Sequence, residues 1–134
     1  MNQLSLSRPK RLDAFFTRIE GDLHAILFED ILYILARRNY SEVCMANGKK
    51  LLVHVPIKVM EEKLPRHLFC RIHRSCVVAI HRITKVNCHD VFIGPLKLPL
   101  ALKYYSDLEG CFVIISAEKE AKYESEPEKE IKKI

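Results

Sequence analysis

Asp30-Ile31-Leu32-Tyr33-Ile34-Leu35-Ala36 is a nearly continuous apolar run that stops abruptly at Arg37-Arg38-Asn39. Its β-branched and aromatic content favours strand, and a strand with no polar face is one buried on both sides. The chain must therefore build a sheet with a layer packed on each face. On one side of this run, Ala14–Glu20 and Leu23–Leu27 flank Gly21-Asp22, which reads as a hairpin. On the other, Tyr40–Met45 resumes a strand, and Asn47-Gly48 supplies a type I′ turn into Lys50–Val55.

Further along, Pro56 opens a short helix with apolar residues at 57, 60 and 64 on one face, and Pro65 ends it. Arg71–Ile80 reads as mainly one strand. Ile83–Asn87 pairs with Val91–Ile93 across His89-Asp90, and Gly94-Pro95 turns the chain into Lys97-Leu98-Pro99. A helix from Ala101 to Glu109 stops at Gly110, and Cys111–Ser116 reads as a last strand. The fold expected is mainly β, with many short strands and two short helices. Neither the βαβ alternation of nucleotide-binding folds nor a GxGxxG or P-loop pattern is present.

The chain has 134 residues, enough for one domain of ordinary size. An apolar fraction of 49% and a charged fraction of 29% are those of a globular protein. Residues 1–11 read as a flexible leader, 12–116 as the folded domain, and 117–134 as a charged, disordered tail. Net charge is +5, and the tail, with six Glu and five Lys, contributes −1 of it. The excess positive charge thus belongs to the domain and suits an anionic partner. No secretory segment follows Met1, and no apolar run approaches the roughly 18 residues of a spanning helix. Five cysteines in apolar surroundings point to free thiols and a cytoplasmic setting, with no membrane partner.

From Lys63 to His89 the chain holds Lys63, Arg66, Arg71, Arg74, Arg82 and Lys85 and not one Asp or Glu. Three chemistries compete for this stretch. His67, Cys70, His73 and Cys76 are four soft ligands spaced by three, which converge only on a helix, whereas Val77-Val78-Ala79-Ile80 favours strand. Cys76 or Ser75 beside His73 could make a nucleophile, yet no carboxylate or Gly-rich loop accompanies them, so no enzyme is expected. Nucleic-acid binding draws on three clusters: Arg37-Arg38-Asn39-Tyr40, His73-Arg74-Ser75, and Lys97 with Lys103-Tyr104-Tyr105. Arg forks onto guanine and Asn onto adenine, while Lys, Ser and Tyr suit phosphates. The rival readings are a protein-interaction module with a basic face and Cys111–Ser116 as an edge for strand addition, or a small metal site on Cys70, His73 and Cys76.

These clusters sit in motifs that resemble the LytTR-type DNA-binding domain of bacterial transcription regulators. The landmarks are Phe28-Glu29-Asp30-Ile31-Leu32-Tyr33-Ile34, then Asn39-Tyr40, then Glu61-Glu62-Lys63-Leu64-Pro65. Phe69-Cys70-Arg71-Ile72-His73-Arg74-Ser75-Cys76-Val77-Val78 is close to the family's F-x-R-[VI]-H-R-S-[YF]-x-V-N, and Leu98-Pro99-Leu100-Ala101-Leu102-Lys103-Tyr104 to its l-P-V-S-R-R-Y. The resemblance runs from about Phe16 to Leu108.

It implies an elongated, layered antiparallel β-sandwich whose loops enter successive major grooves of double-stranded DNA, with no enzyme activity and no cofactor. It implies base contacts from Arg74, Lys103, Asn39 and Ser41. Backbone contacts are implied for Arg37, Arg38, Tyr40, His73, Ser75, Lys97 and Tyr104. Relatives often bind paired repeats as homodimers. Many also carry a receiver domain, for which the dozen residues before this segment leave no room. Lys103 stands where the family has Arg, exchanging a forked donor for a point charge.

Overall fold

The apolar run forms the middle strand of a five-stranded antiparallel sheet in a computed structural model, which describes residues 10–124. The expected leader falls mostly on residues 1–9, outside the described residues, as does the tail beyond 124. Two strands, β1 (Ala14–Ile19) and β2 (Asp22–Leu27), pair as a hairpin. Its turn is Glu20-Gly21, one residue earlier than expected, with φ of 52° and 91°. The main sheet contains β3 (Ile31–Arg37), β4 (Tyr40–Met45), β5 (Lys50–Val53), β6 (Phe69–His73) and β7 (Cys76–Ala79). Between β5 and β6 lies α1 (Ile57–Lys63), and Pro56 is its N-cap rather than its first turn. Finally β8 (Lys85–Val86), β9 (Asp90–Ile93) and β10 (Leu96–Pro99) form a three-stranded sheet, followed by α2 (Leu102–Glu109).

The order across the main sheet is β5-β4-β3-β7-β6. Side chains of β3 and β7 alternate between two cores, because successive residues of a strand point to opposite faces. Ile34, Ala36, Val77 and Ala79 enter the core under α1 and the first hairpin. Tyr33, Leu35, Cys76 and Val78 enter the core shared with β9, β10 and α2. Ile31 joins Ile34 in the first core although the two stand three positions apart, an odd spacing. A register shift between Ile31 and Tyr33 restores the parity. Ile34 is 0% exposed at the centre of this arrangement. Ile34→Ala is expected to cost about 2–5 kcal/mol by urea denaturation, and a cost below 1 kcal/mol would contradict the two-core packing.

Three local expectations are corrected. Arg71–Ile80 is two strands, not one, broken by a two-residue turn at Arg74-Ser75. The Asn47-Gly48 connection is not type I′: only Gly48 has positive φ (89°), and its N–H donates to the Met45 carbonyl at 2.9 Å. That is a type I turn followed by a left-handed glycine, the next commonest hairpin closure. Cys111–Ser116 forms no strand, and Val113 and Ile115 lie open to solvent. The strand-addition edge expected there does not exist.

Candidate nucleic-acid interface

The register of the sheet gathers the basic turns at one end. Because β3 pairs antiparallel with both β4 and β7, its C-terminal end meets the start of each neighbour. The Ala36 N–H donates to the Ser75 carbonyl at 2.8 Å. The Arg38-Asn39 turn and the Arg74-Ser75 turn therefore project from the same end, two strand spacings apart. At about 4.8 Å per spacing that is roughly 10 Å. β6 is the outer strand, and its Ile72 carbonyl accepts from the Ala101 N–H at 2.8 Å. This bond sets the start of α2 one place further along the same row, with Lys103 in its first turn. From the Arg38-Asn39 turn to Ala101 the row measures about 17 Å.

The β6–β7 turn is built by the side chains around Arg74. Arg71, 14% exposed, donates from Nε to the His73 carbonyl at 2.8 Å and from Nη2 to the Arg74 carbonyl at 2.6 Å. Its Nη1 pairs with Glu61 Oε1 of α1 at 2.6 Å. The Ser75 N–H donates to His73 Nδ1 at 3.1 Å, and Ser75 Oγ lies 2.9 Å from the same nitrogen. Nδ1 is thus an acceptor, so the neutral ring carries its proton on Nε2. Arg71, His73 and Ser75 all bind the turn itself. Arg74 is exposed, and among the described residues its guanidinium makes no hydrogen bond. Arg71 and Glu61 hold the turn, an arrangement that the sequence did not signal: Glu61 lies two residues outside the acid-free stretch and folds back onto it.

The other expected residues divide sharply. Arg38 and Asn39 are exposed at the turn tip, and Lys103 is exposed with its Nζ 5.1 Å from the Tyr104 ring centre. Tyr40 is half-buried and its ring packs against His54, an exposed residue at the same end that the sequence reading did not single out. Arg37 is engaged: Nε and Nη2 lie 2.7 and 2.6 Å from Glu42 Oε1, and Lys50 approaches the same carboxylate at 3.5 Å. Its charge is largely balanced by a carboxylate only 9% exposed. Ser41 is a correction. It is 0% exposed and its Oγ donates to the Val55 carbonyl at 2.8 Å, so it cannot reach a base. Lys97 is exposed on β10, in the other sheet and outside the row. Tyr104 is half-buried against the second core.

His73 and Cys76 stand opposite each other in register, and His67 lies in the turn before β6. Among the described residues no three His, Cys, Asp or Glu side chains gather as metal ligands. Burial pushes the Cys76 thiol up to about 12 from the usual value near 9. An unfolded chain releases this proton near pH 9, whereas the folded chain holds it to about pH 12. The stability contributed by the neutral thiol is full below pH 9 and is lost as the pH rises toward 12, at up to about 1.4 kcal/mol per pH unit. Urea midpoints are expected to fall from pH 8 to about 10.5, and less steeply in Cys76→Ala. Equal slopes in the two proteins would contradict the assignment.

The family model of the LytTr DNA-binding domain matches residues 21–110. A solved LytTr DNA-binding domain from Bacillus cereus superposes with a TM-score of 0.60 at 16% identity, over 74% of this chain and 95% of that one. At that identity the superposition speaks for the fold, which is mainly β with ten antiparallel strands and two short helices among the described residues. No helix among them is long and apolar enough to cross a membrane. The family match covers more than half of the chain and includes β2 to α2, every element of the basic row. This protein belongs to the LytTR DNA-binding domain family.

Proposed function

We propose that the chain is a transcription regulator that binds double-stranded DNA sequence-specifically through the row formed by the β3–β4 turn, the β6–β7 turn and the start of α2. The observation that carries this reading is the convergence of Arg38, Asn39, Arg74 and Lys103, all exposed, at one end of the sheet. The spacing refines the roles. Grooves facing one side of B-DNA recur about every 34 Å. The backbones at Arg74 and at the start of α2 are only about 7 Å apart across the row, too close for these two residues to enter neighbouring major grooves. The ends of the row, Asn39 and Lys103, are better suited to neighbouring major grooves, since the roughly 17 Å between backbones is extended by both side chains. Arg74 lies between them, where the minor groove crosses, and Arg inserts readily into a narrow minor groove. Arg38, Tyr40, His73, Ser75 and Tyr104 flank these positions as phosphate contacts, with Arg37 contributing only the charge that Glu42 leaves unbalanced.

A fluorescence titration against duplexes obtained by random selection tests the reading. Six to ten phosphate contacts should lower affinity roughly 10³–10⁵-fold between 50 and 200 mM salt. Affinity insensitive to salt would contradict DNA as the partner. Binding as a dimer on paired repeats belongs to the same proposal, and sedimentation should give twice the protein per duplex on a two-repeat site as on a one-repeat site.

A further inference from the structure

A second reactive cluster lies beside the row. Cys70 of β6 and Cys111, just past the end of α2, line one cleft together with Glu61, Arg71, Tyr104 and Asp107. Cys70 is half-buried against the second core, with its thiol 3.5 Å from the Arg71 carbonyl. Cys111 is exposed, with its thiol 3.4 Å from the Asp107 carbonyl. The two residues thus share the lining of a single cleft. Burial first, and then the neighbouring Cys111, Asp107 and Glu61, together hold the Cys70 thiol up at about 12. The remaining cysteines differ: Cys44 and Cys76 are buried at 5% and 0% exposure, and Cys88 is exposed in the β8–β9 turn.

We propose that Cys70 and Cys111 are an oxidation site at which a hydroperoxide makes a disulfide that staples α2 to β6. The accessible Cys111, as thiolate, attacks the peroxide oxygen. The O–O bond breaks, Cys111 becomes a sulfenic acid, and an alcohol or water leaves. The Cys70 sulfur then attacks the Cys111 sulfur, the S–O bond breaks, and the hydroxide departs as water with the Cys70 proton. Two thiols and one hydroperoxide yield one disulfide, one water and one alcohol.

The test needs neither DNA nor a variant for its main readout, so its failure would leave the DNA-binding reading untouched. The full chain is exposed to a small excess of hydrogen peroxide, alkylated after unfolding and mapped without reduction. Alkylatable thiols should fall from five to three. The peptide carrying Cys70 should be joined to the one carrying Cys111, and dithiothreitol should separate them. Hydrogen exchange in α2 should slow on oxidation in the wild type and not in Cys70→Ser. Over-oxidation of Cys111 with Cys70 still alkylatable would overturn the proposal, as would a bond from Cys111 to Cys88 or to a second molecule.

Discussion

Arg74→Ala is expected to weaken binding to a selected duplex by about 1–3 kcal/mol, roughly 5- to 150-fold, and to relax preference at one position of the site. The side chain is exposed, contributes nothing to the turn, and lies at the centre of the basic row. Its removal should leave the urea midpoint unchanged, which separates loss of contact from loss of fold. The lost preference should be of the A·T-versus-G·C kind, because the minor groove distinguishes little more than that. Binding of every duplex as tightly as wild type would remove Arg74 from the interface. Loss of preference among all four base pairs would instead return Arg74 to a major groove.

Arg71→Ala is expected to cost about 2–4 kcal/mol of stability and to weaken DNA binding although Arg71 itself faces the protein. One substitution removes the donors to the His73 and Arg74 carbonyls and leaves Glu61 without its cation. Glu61 is 43% exposed and water can replace its cation, so the cost falls mainly on the two turn carbonyls that lose a charged donor. Arg71→Lys should recover only part of this, since an ammonium cannot reach both carbonyls and the carboxylate in the fork geometry of a guanidinium. The two arginines should be coupled in binding. With Arg74 already replaced, loss of Arg71 should add little to the binding defect, because its contribution there is to hold the turn that presents Arg74. Fully additive effects in a double-mutant cycle would show that Arg71 contacts DNA independently.

The architecture was legible wherever a local signal agreed with the pairing. The run 30–36 declared a strand buried on both faces, and β3 divides its side chains between two cores. The break at Arg74-Ser75 was not legible. Apolar β-branched residues stand on both sides of it, and no Gly, Pro or Asn marks it. The turn is held by Arg71, His73 and Ser75 side chains, and Arg71 in turn by a glutamate ten residues earlier. Ser41 was misjudged because the resemblance implied a base contact at a position that the strand reading from Tyr40 already covered. The turn is only Arg38-Asn39, β4 begins at Tyr40, and alternation turns Ser41 inward. Cys111–Ser116 has strand composition but pairs with no strand, and composition alone does not make a strand. The basic character of the surface was legible as a gap in acidic residues. Which cations stay free was not, because Glu42 and Glu61 reach Arg37 and Arg71 only through the fold.

The most direct measurement is amide hydrogen exchange across the described residues, with and without a selected duplex at low salt. Protection is expected at 38–40, 73–75 and 101–104 together, with the β1–β2 hairpin and the β9–β10 turn unchanged. Protection confined to those two hairpins, with the three segments of the row unaffected, would contradict the interface proposed for this protein.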